Sequence, residues 1–158
     1  MLGLLPALVP LRAEAGISPL DNPSHLDHRA LENPAMALML ATRDVLRMAD
    51  WVELMLRRSI NMFDGPEKRQ ILELSQVDAM HSAIKQYLVQ LSRGKLDEFE
   101  SQRCMEITSF TVKLEHVGDI VEKNLLRVAR KHLRAGRQFS DPGWTEITEL
   151  HARVLANL

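Results

Sequence analysis

The chain has 158 residues, 46% of them hydrophobic, and nearly equal numbers of basic and acidic residues, 20 and 21. This length favours a single domain, and a net charge of -1 argues against nucleic acid as a partner. Aromatic residues make up only 4% of the chain while there are eight methionines, which favours an all-α fold packed through aliphatic side chains. The single Cys104 excludes an internal disulfide and any CxxC metal motif.

Residues 1–33 are predicted to precede the folded domain. The first eleven, MLGLLPALVPL, are apolar but too short to span a bilayer, and they lack the basic residues of a signal peptide. We interpret them as the remnant of a membrane segment. Prolines, asparagines and a glycine then interrupt the chain as far as Pro34, which indicates an irregular linker. A helical domain is predicted for residues 34–158.

The first predicted helix begins at Asn33 and Pro34, because asparagine caps free N–H groups and proline needs no donor in the first turn. It is expected to run to about Met62. Its apolar stripe has the spacing of a bundle helix. The stripe consists of Leu38, Ala41, Val45, Met48, Val52 and Met55.

The second predicted helix starts after Asp64-Gly65-Pro66, in which glycine ends one helix and proline begins the next. It is expected to run to about Arg93, before Gly94. Its predicted buried seam contains Leu74, Val77, His81, Ile84, Leu88 and Leu91. His81 therefore occupies a position where a leucine would be expected.

The third predicted helix begins near Asp97 and ends at Gly136, and a helix of that length needs packing partners along its whole course. Its predicted seam contains Ile107, Phe110, Leu114, Val117, Val121, Leu125 and Val128. Ser140-Asp141-Pro142 caps a fourth helix. The fourth helix has an apolar stripe and no stop signal, so we expect this chain to be a fragment of a longer helical protein. The stripe consists of Ile147, Leu150, Val154 and Leu158.

The third helix carries two carboxylates, Glu115 and Asp119, one turn apart on one face. Like charges at this spacing repel unless a cation or a basic partner lies between them. Gly118 beside them costs helix stability, and a common reason for such a glycine is the close approach of another backbone or a ligand. The pattern therefore predicts a site at this point of the helix.

Polar side chains on the second helix offer a complement to this pair. Asp78, His81 and Lys85 lie on one flank of that helix. If the two flanks face each other, their nitrogen and oxygen atoms would suit a divalent metal. The predicted metal ligands are Glu115, Asp119, Asp78 and His81.

Two alternatives to a regulatory metal site stay open. In the first, Lys85 and arginines pair with the acids in ordinary salt bridges, and His81 is a core histidine that is hydrogen-bonded to a neighbour. In the second, the same four residues bind the metal of a metal-dependent helical enzyme. HExxH and Glu-x-x-His motifs are absent from the sequence, which removes the usual helical signatures of zinc hydrolases and di-iron oxidases, and phosphate-loop and GxSxG motifs are absent too.

The segment Leu114-Glu115-His116-Val117-Gly118-Asp119 resembles the LERIGD-like signature of PhoU helical domains. Further segments extend the likeness to the PhoU-like region that follows the membrane helices of bacterial sodium/phosphate cotransporters. These segments are Ala30 to Leu56, Val77 to Leu88, Leu114 to Leu125 and Phe139 to Leu158. Together they cover nearly all of the chain after Leu26.

The resemblance implies an up-down helical bundle of two three-helix repeats, of which this chain would hold the first repeat and one further helix. It implies attachment to the membrane part of a phosphate transporter on the cytoplasmic side of the bacterial inner membrane. PhoU proteins bind metal through E(D)xxxD motifs, and Glu115 and Asp119 match that motif. Asp78 lacks a second carboxylate four residues later, since Ser82 stands there.

The predicted function is therefore that of a non-catalytic domain, regulatory or structural, in a sodium-dependent phosphate transporter. A free-standing PhoU-type regulator of phosphate uptake is the alternative. An iron, zinc, manganese or magnesium ion is the expected cofactor. Apolar faces left open on the third and fourth helices also predict a homo-oligomer.

Overall fold

The computed structural model describes residues 24–63 and 69–157, and within the second range it describes side chains from residue 76 onward. The predicted apolar segment and the predicted helix boundary at Asp64-Gly65-Pro66 lie outside these residues. All regular structure in the described ranges is helical, as predicted. The α-helices are α1 (Pro34–Ser59), α2 (Arg69–Ser92), α3 (Glu98–Asp119), α4 (Arg127–Arg134) and α5 (Asp141–Ala156).

Three predicted helix boundaries are confirmed by their caps. The predicted end of the first helix near Met62 falls instead in a 3-10 helix, Ile60–Phe63, that follows α1. Asn33 accepts a hydrogen bond from the backbone N–H of Met36, and Asp97 and Glu100 form a reciprocal capping box at the start of α3. Gly136 has a positive φ of 60°, which ends α4 in the left-handed conformation that favours glycine. These local signals fix the lengths of the elements.

The three long helices α1, α2 and α3 pack on one another in pairs around one core. The predicted stripe of α1 is buried in full, and Trp51 joins it at 2% exposure. This stripe contains Leu38, Ala41, Val45, Met48, Val52 and Met55. A three-helix bundle needs such a continuous apolar face on the helix that contacts both others.

The predicted seam of α2 is correct except at His81. Met80 is 8% exposed and takes the core position, while His81 is half-buried at the edge of the seam. A small rotation of the helix decides which of these two neighbouring residues faces the core. Burying the unbranched, apolar methionine costs less free energy than burying an imidazole. His81 is therefore a boundary residue and does not interrupt the core. The side chain of Leu74, the first residue of that seam, lies outside the described residues.

The third predicted helix is continuous but not uniformly α-helical. A π-helical segment, Ile120–Leu126, joins α3 to α4. After it Ala129 is 1% exposed whereas Val128 is 53% exposed, so the inward-facing position is one residue later than a regular α-helix would place it. The predicted burial of Val128 is wrong for this reason. Phe110 is also more exposed than predicted, at 44%.

The short helix α5 buries Ile147 of the predicted stripe in part, but it turns a different face to the bundle from the one predicted. Leu150 and Val154 are 62% and 44% exposed, and Leu158 lies outside the described residues. The side turned toward the bundle instead carries Trp144, His151 and the half-buried Leu155. His151 Nε2 lies 2.7 Å from the Leu56 carbonyl oxygen of α1, and this polar anchor fixes the rotation of α5.

The predicted irregular linker contains ordered structure before α1. A 3-10 helix, His28–Glu32, packs against α1 and α2. The Tyr87 hydroxyl donates a hydrogen bond to the Asp27 carbonyl oxygen at 3.0 Å, and His28 contacts the same ring edge to face. We refer to residues 24–33 as the strap.

No helix in the part of the chain that the structure describes is both long and apolar enough to cross a membrane.

Candidate metal centre

The candidate site forms where α2 and α3 approach closely at Gly118. This glycine is buried, and a β-carbon built on it would lie 3.3 Å from Val77 Cγ1 of α2. Such a contact is tighter than side chains normally allow, so the missing side chain lets the two helices come together. The sequence predicted the close approach of another backbone or a ligand at Gly118, whereas the group that approaches it is the side chain of Val77.

This approach brings Asp78 of α2 next to Glu115 and Asp119 of α3. One carboxylate oxygen from each residue can be chosen so that all three lie within 4.8 Å of one another. Glu115 and Asp119 are half-buried, and Asp78 is exposed. Three acidic groups therefore share one boundary of the bundle, half open to solvent.

His81 is the predicted ligand that the structure does not place in this group. Three residues along a helix turn a side chain by about 60° and advance it by about 4.5 Å. His81 therefore projects from a different point of α2 than Asp78 does. The set of ligands held together is all carboxylate, in place of the predicted mixture of nitrogen and oxygen.

A lysine already interacts with one of the three acids. Lys123 Nζ lies 2.6 Å from Asp119 Oδ2, one turn along the same helix, and the two side chains are 65% and 31% exposed. The hydrogen bond to Asp119, together with the charges of Asp119, Glu122 and Glu115, raises the pKa of Lys123. This is the salt-bridge alternative, with Lys123 in the place of Lys85.

The donor set would suit a hard cation. Carboxylate oxygens are preferred by magnesium, manganese and calcium, which complete their coordination with water in open sites. Zinc sites usually include histidine or cysteine, and neither is among these three residues. Asp78, Glu115 and Asp119 would hold such an ion, and Lys123 would compete with it for Asp119.

A second polar cluster surrounds Asp44 in the first half of α1, and the sequence analysis did not find it. Asp44 is 2% exposed, and it accepts hydrogen bonds from the Ser24 hydroxyl at 2.6 Å and the His25 N–H at 2.9 Å. His25 Nδ1 lies 2.8 Å from the same carboxylate, and Arg47 lies 3.8 Å away. A charged residue on the apolar face of an otherwise regular helix was the available signal.

The geometry of this cluster connects the strap to α1. A buried carboxylate is costly unless it is hydrogen-bonded and paired, so Asp44 is stable only with the strap in place. Asp44 is the single carboxylate in these contacts. Its role here is to hold the chain that enters the bundle.

Comparisons with known proteins agree with the helical fold. The family model described as "PhoU domain" matches residues 45–129, which includes all three acidic residues of the site. No solved structure matches the chain.

Full-length relatives are much longer than this chain. It is 36% identical over 152 residues to "Putative inorganic phosphate export protein YjbB" of Escherichia coli strain K12, covering 94% of the chain and 28% of the relative. The protein of the same name in Salmonella typhimurium is 36% identical over 139 residues, covering 86% of the chain and 26% of the relative. The chain thus spans about a quarter of the length of these relatives.

The family match covers more than half of the sequence, and it agrees with the helical bundle and with the sequence segments that resemble PhoU domains. The chain belongs to the PhoU domain family.

Proposed function

We propose that this chain is the non-catalytic PhoU domain of an inorganic phosphate transport protein, in which it regulates or supports phosphate movement. The observation that carries the proposal is the 36% identity over 94% of the chain to a relative named for inorganic phosphate export. Because the chain covers 28% of that relative, transport itself would be performed by a different part of the protein. No catalytic step is assigned to this domain.

The finer features of the proposal come from the resemblance to sodium/phosphate cotransporters. We assign the domain to the cytoplasmic side of the bacterial inner membrane, with the membrane part of the transporter as its partner. Sodium would be the coupling ion of that membrane part.

Regulation would require that the domain respond differently to two arrangements of the attached membrane part, since a ligand shifts an equilibrium only through differential affinity. Two features could supply such a response. The strap is fixed through Asp44 and Tyr87 to two different helices. The three carboxylates span α2 and α3, so a cation there would favour the packed arrangement of those helices.

A domain exchange tests the proposal. The region of the Escherichia coli relative that matches this chain is replaced by residues 1–158, and phosphate release is measured in phosphate-loaded cells. We expect the chimera to restore the flux, and its regulation, that deletion of the region abolishes. A chimera that behaves as the deletion does, although it reaches the membrane in equal amount, would contradict the proposal.

The free-standing regulator is distinguished by supplying the chain separately. The same deletion is expressed together with residues 1–158 as an independent protein. Recovery with the separate chain, and none with the chimera, would favour the free-standing regulator. Recovery with the chimera alone would favour the transporter domain.

We also propose that Asp78, Glu115 and Asp119 hold a divalent cation such as magnesium or manganese. The ion would neutralise neighbouring carboxylates and stabilise the packing of α2 on α3. Millimolar magnesium or manganese should raise the melting temperature of the chain. The increase should be lost in the variant Glu115→Gln/Asp119→Asn.

A matched control removes two acids elsewhere. Glu106→Gln/Glu146→Gln changes the net charge by the same amount at exposed positions, and it should keep the full response to metal. An equal response in both double variants, or none in the wild type, would remove the metal site from the proposal. The transport role would be unaffected, because the domain exchange tests it separately.

A further inference from the structure

Positive charge is concentrated in one part of this nearly neutral chain. Residues 123–140 contain six lysines and arginines and no aspartate or glutamate. The four that belong to α4 are Arg127, Arg130, Lys131 and Arg134, and all four are exposed. The net charge of -1 therefore conceals a strongly basic segment.

The four cations of α4 lie on one side of the helix. With 100° per residue, their directions fall within an arc of about 100°, opposite the buried Ala129. Along the axis they extend over about 10 Å. We call this set the α4 basic face.

Most of this charge is not neutralised by the side chains that the structure describes. Lys123, just before α4, pairs with Asp119, and Arg127 donates a long hydrogen bond to the Asn124 amide oxygen at 3.4 Å. Arg130, Lys131 and Arg134 form no ion pair with a carboxylate among residues 24–63 and 76–157. Three guanidinium or ammonium groups are thus available to an external anion.

Apolar and aromatic groups accompany the charges. Val128 is 53% exposed at the margin of the α4 basic face. Beyond the end of the helix, Phe139 stacks on His132 with ring centroids 4.2 Å apart, and Trp144 lies 5.8 Å from Phe139. Both aromatic side chains are half-buried. Cations beside amphipathic aromatic rings are typical of protein surfaces that contact lipid head groups.

We propose that the α4 basic face docks onto the anionic phospholipid surface of a membrane. Exposed cations spread along a helix suit an extended layer of phosphate groups, to which each contributes separately. The open groove beside them, of about 500 Å³, contains Arg137 but also Asp141, so it lacks the converging cations that a single phosphate ion would require. The proposal goes beyond the proposed function, since this surface would attract anionic lipid with or without an attached transporter.

Vesicle binding by the purified 158-residue chain tests the proposal. Co-sedimentation is compared for vesicles of phosphatidylcholine alone and vesicles with one quarter phosphatidylglycerol, at low and high salt. We expect binding only to the anionic vesicles, weakened by salt because the contact is electrostatic. Arg130→Gln/Lys131→Gln/Arg134→Gln should weaken this binding at least about tenfold.

The matched control is Arg43→Gln/Arg93→Gln/Lys113→Gln, which removes three exposed cations from α1, the turn after α2, and α3. It should bind the vesicles as the wild type does. Circular dichroism confirms that each variant folds. A third variant, Arg134→Glu alone, repeats the binding measurement with a single change. An equal loss in the control, or binding to neutral vesicles as strong as to anionic ones, would overturn the proposal.

Two further additions separate the lipid from other anions. Inorganic phosphate and sulfate are added at equal ionic strength, and they should release the chain from vesicles equally. Stronger release by phosphate would identify free phosphate as the ligand and overturn membrane docking. Binding to a short double-stranded DNA but not to the vesicles would do the same in favour of nucleic acid.

Discussion

Asp44 is a buried carboxylate whose partners come from about twenty residues earlier in the chain. The Ser24 hydroxyl, the His25 backbone and the His25 ring all contact it. Hydrogen bonds to a charged acceptor are about twice as strong as neutral ones. The residue therefore determines where the strap lies, although helix propensity alone gives no reason for its presence.

The variant Asp44→Asn should lose about 1–3 kcal/mol of unfolding free energy, because it replaces a charge-assisted hydrogen-bond acceptor in a buried position. Urea denaturation measures the change. Asp50→Asn on the same helix is the control. Partial burial raises the pKa of the Asp50 carboxyl, so the folded state binds that proton more tightly and its charged form lowers stability as the pH rises. Removing this charge should be neutral or stabilising at pH 7.

Gly118 is required by the close packing of α2 on α3. Alanine is favoured over glycine by up to about 1 kcal/mol in a helix interior, but here its β-carbon would meet Val77 Cγ1 at 3.3 Å. Val77 is fully buried and β-branched, so it has little freedom to move. Gly118→Ala should therefore destabilise the chain by about 1 kcal/mol in urea denaturation.

A double-mutant cycle identifies the cause of that loss. The Gly118→Ala change should cost less, or become stabilising, when Val77→Ala has already removed the contacting methyl groups. Equal costs in both backgrounds would mean that the contact with Val77 is not the reason for the glycine.

At the scale of elements, the π-helical segment Ile120–Leu126 decides which residues of α4 face the core. Val121 and Ala129 are both buried although they are eight residues apart, whereas a regular α-helix returns to the same side after seven. The segment thus accommodates one additional residue. It also follows Asp119 directly, and π segments often occur beside functional sites.

Deleting Asn124 should convert the π segment to regular α-helix and keep Ala129 in the core. We expect a cooperative thermal transition with its midpoint changed by only a few degrees. Ser109 is an exposed residue within regular α3. Its deletion would rotate the helix on one side of that point by about 100° relative to the other side. That variant should lose cooperative unfolding, and equal behaviour of the two deletions would refute the explanation.

For the whole molecule, apolar surface and charge are both distributed unevenly. Leu150 and Val154 of α5 are 62% and 44% exposed, and they form an apolar strip on the outside of the bundle. Such strips often mark interaction sites. The basic segment near α4 and the carboxylate site on α2 and α3 add two charged regions of opposite sign.

The exposed strip of α5 leads to the expectation that the chain associates with itself. Sedimentation at tens of micromolar should show a mass above that of the monomer. Leu150→Gln/Val154→Gln should shift the distribution to monomer with an unfolding free energy within about 0.5 kcal/mol of the wild type, since surface substitutions usually have small effects. A monomeric wild-type chain at these concentrations would contradict this expectation.

The sequence by itself determined the fold class, the helix boundaries inside the described ranges, the core of α1 and the acidic pair on α3. These features depend on local chemistry, namely capping groups, glycine and the period of apolar residues. The pairing of Glu115 and Asp119 is likewise a consequence of helix geometry within one element.

Only the tertiary structure decided the features that depend on contacts between elements. The phase change at the π segment, Met80 in place of His81 in the core, and the rotation of α5 about His151 each reflect packing against another helix. Asp78 lies beside the acidic pair, and His81 does not, because the close approach at Gly118 fixes the position of α2 along the axis of α3. The period of apolar residues describes one helix at a time, so it cannot predict the position of one helix along another.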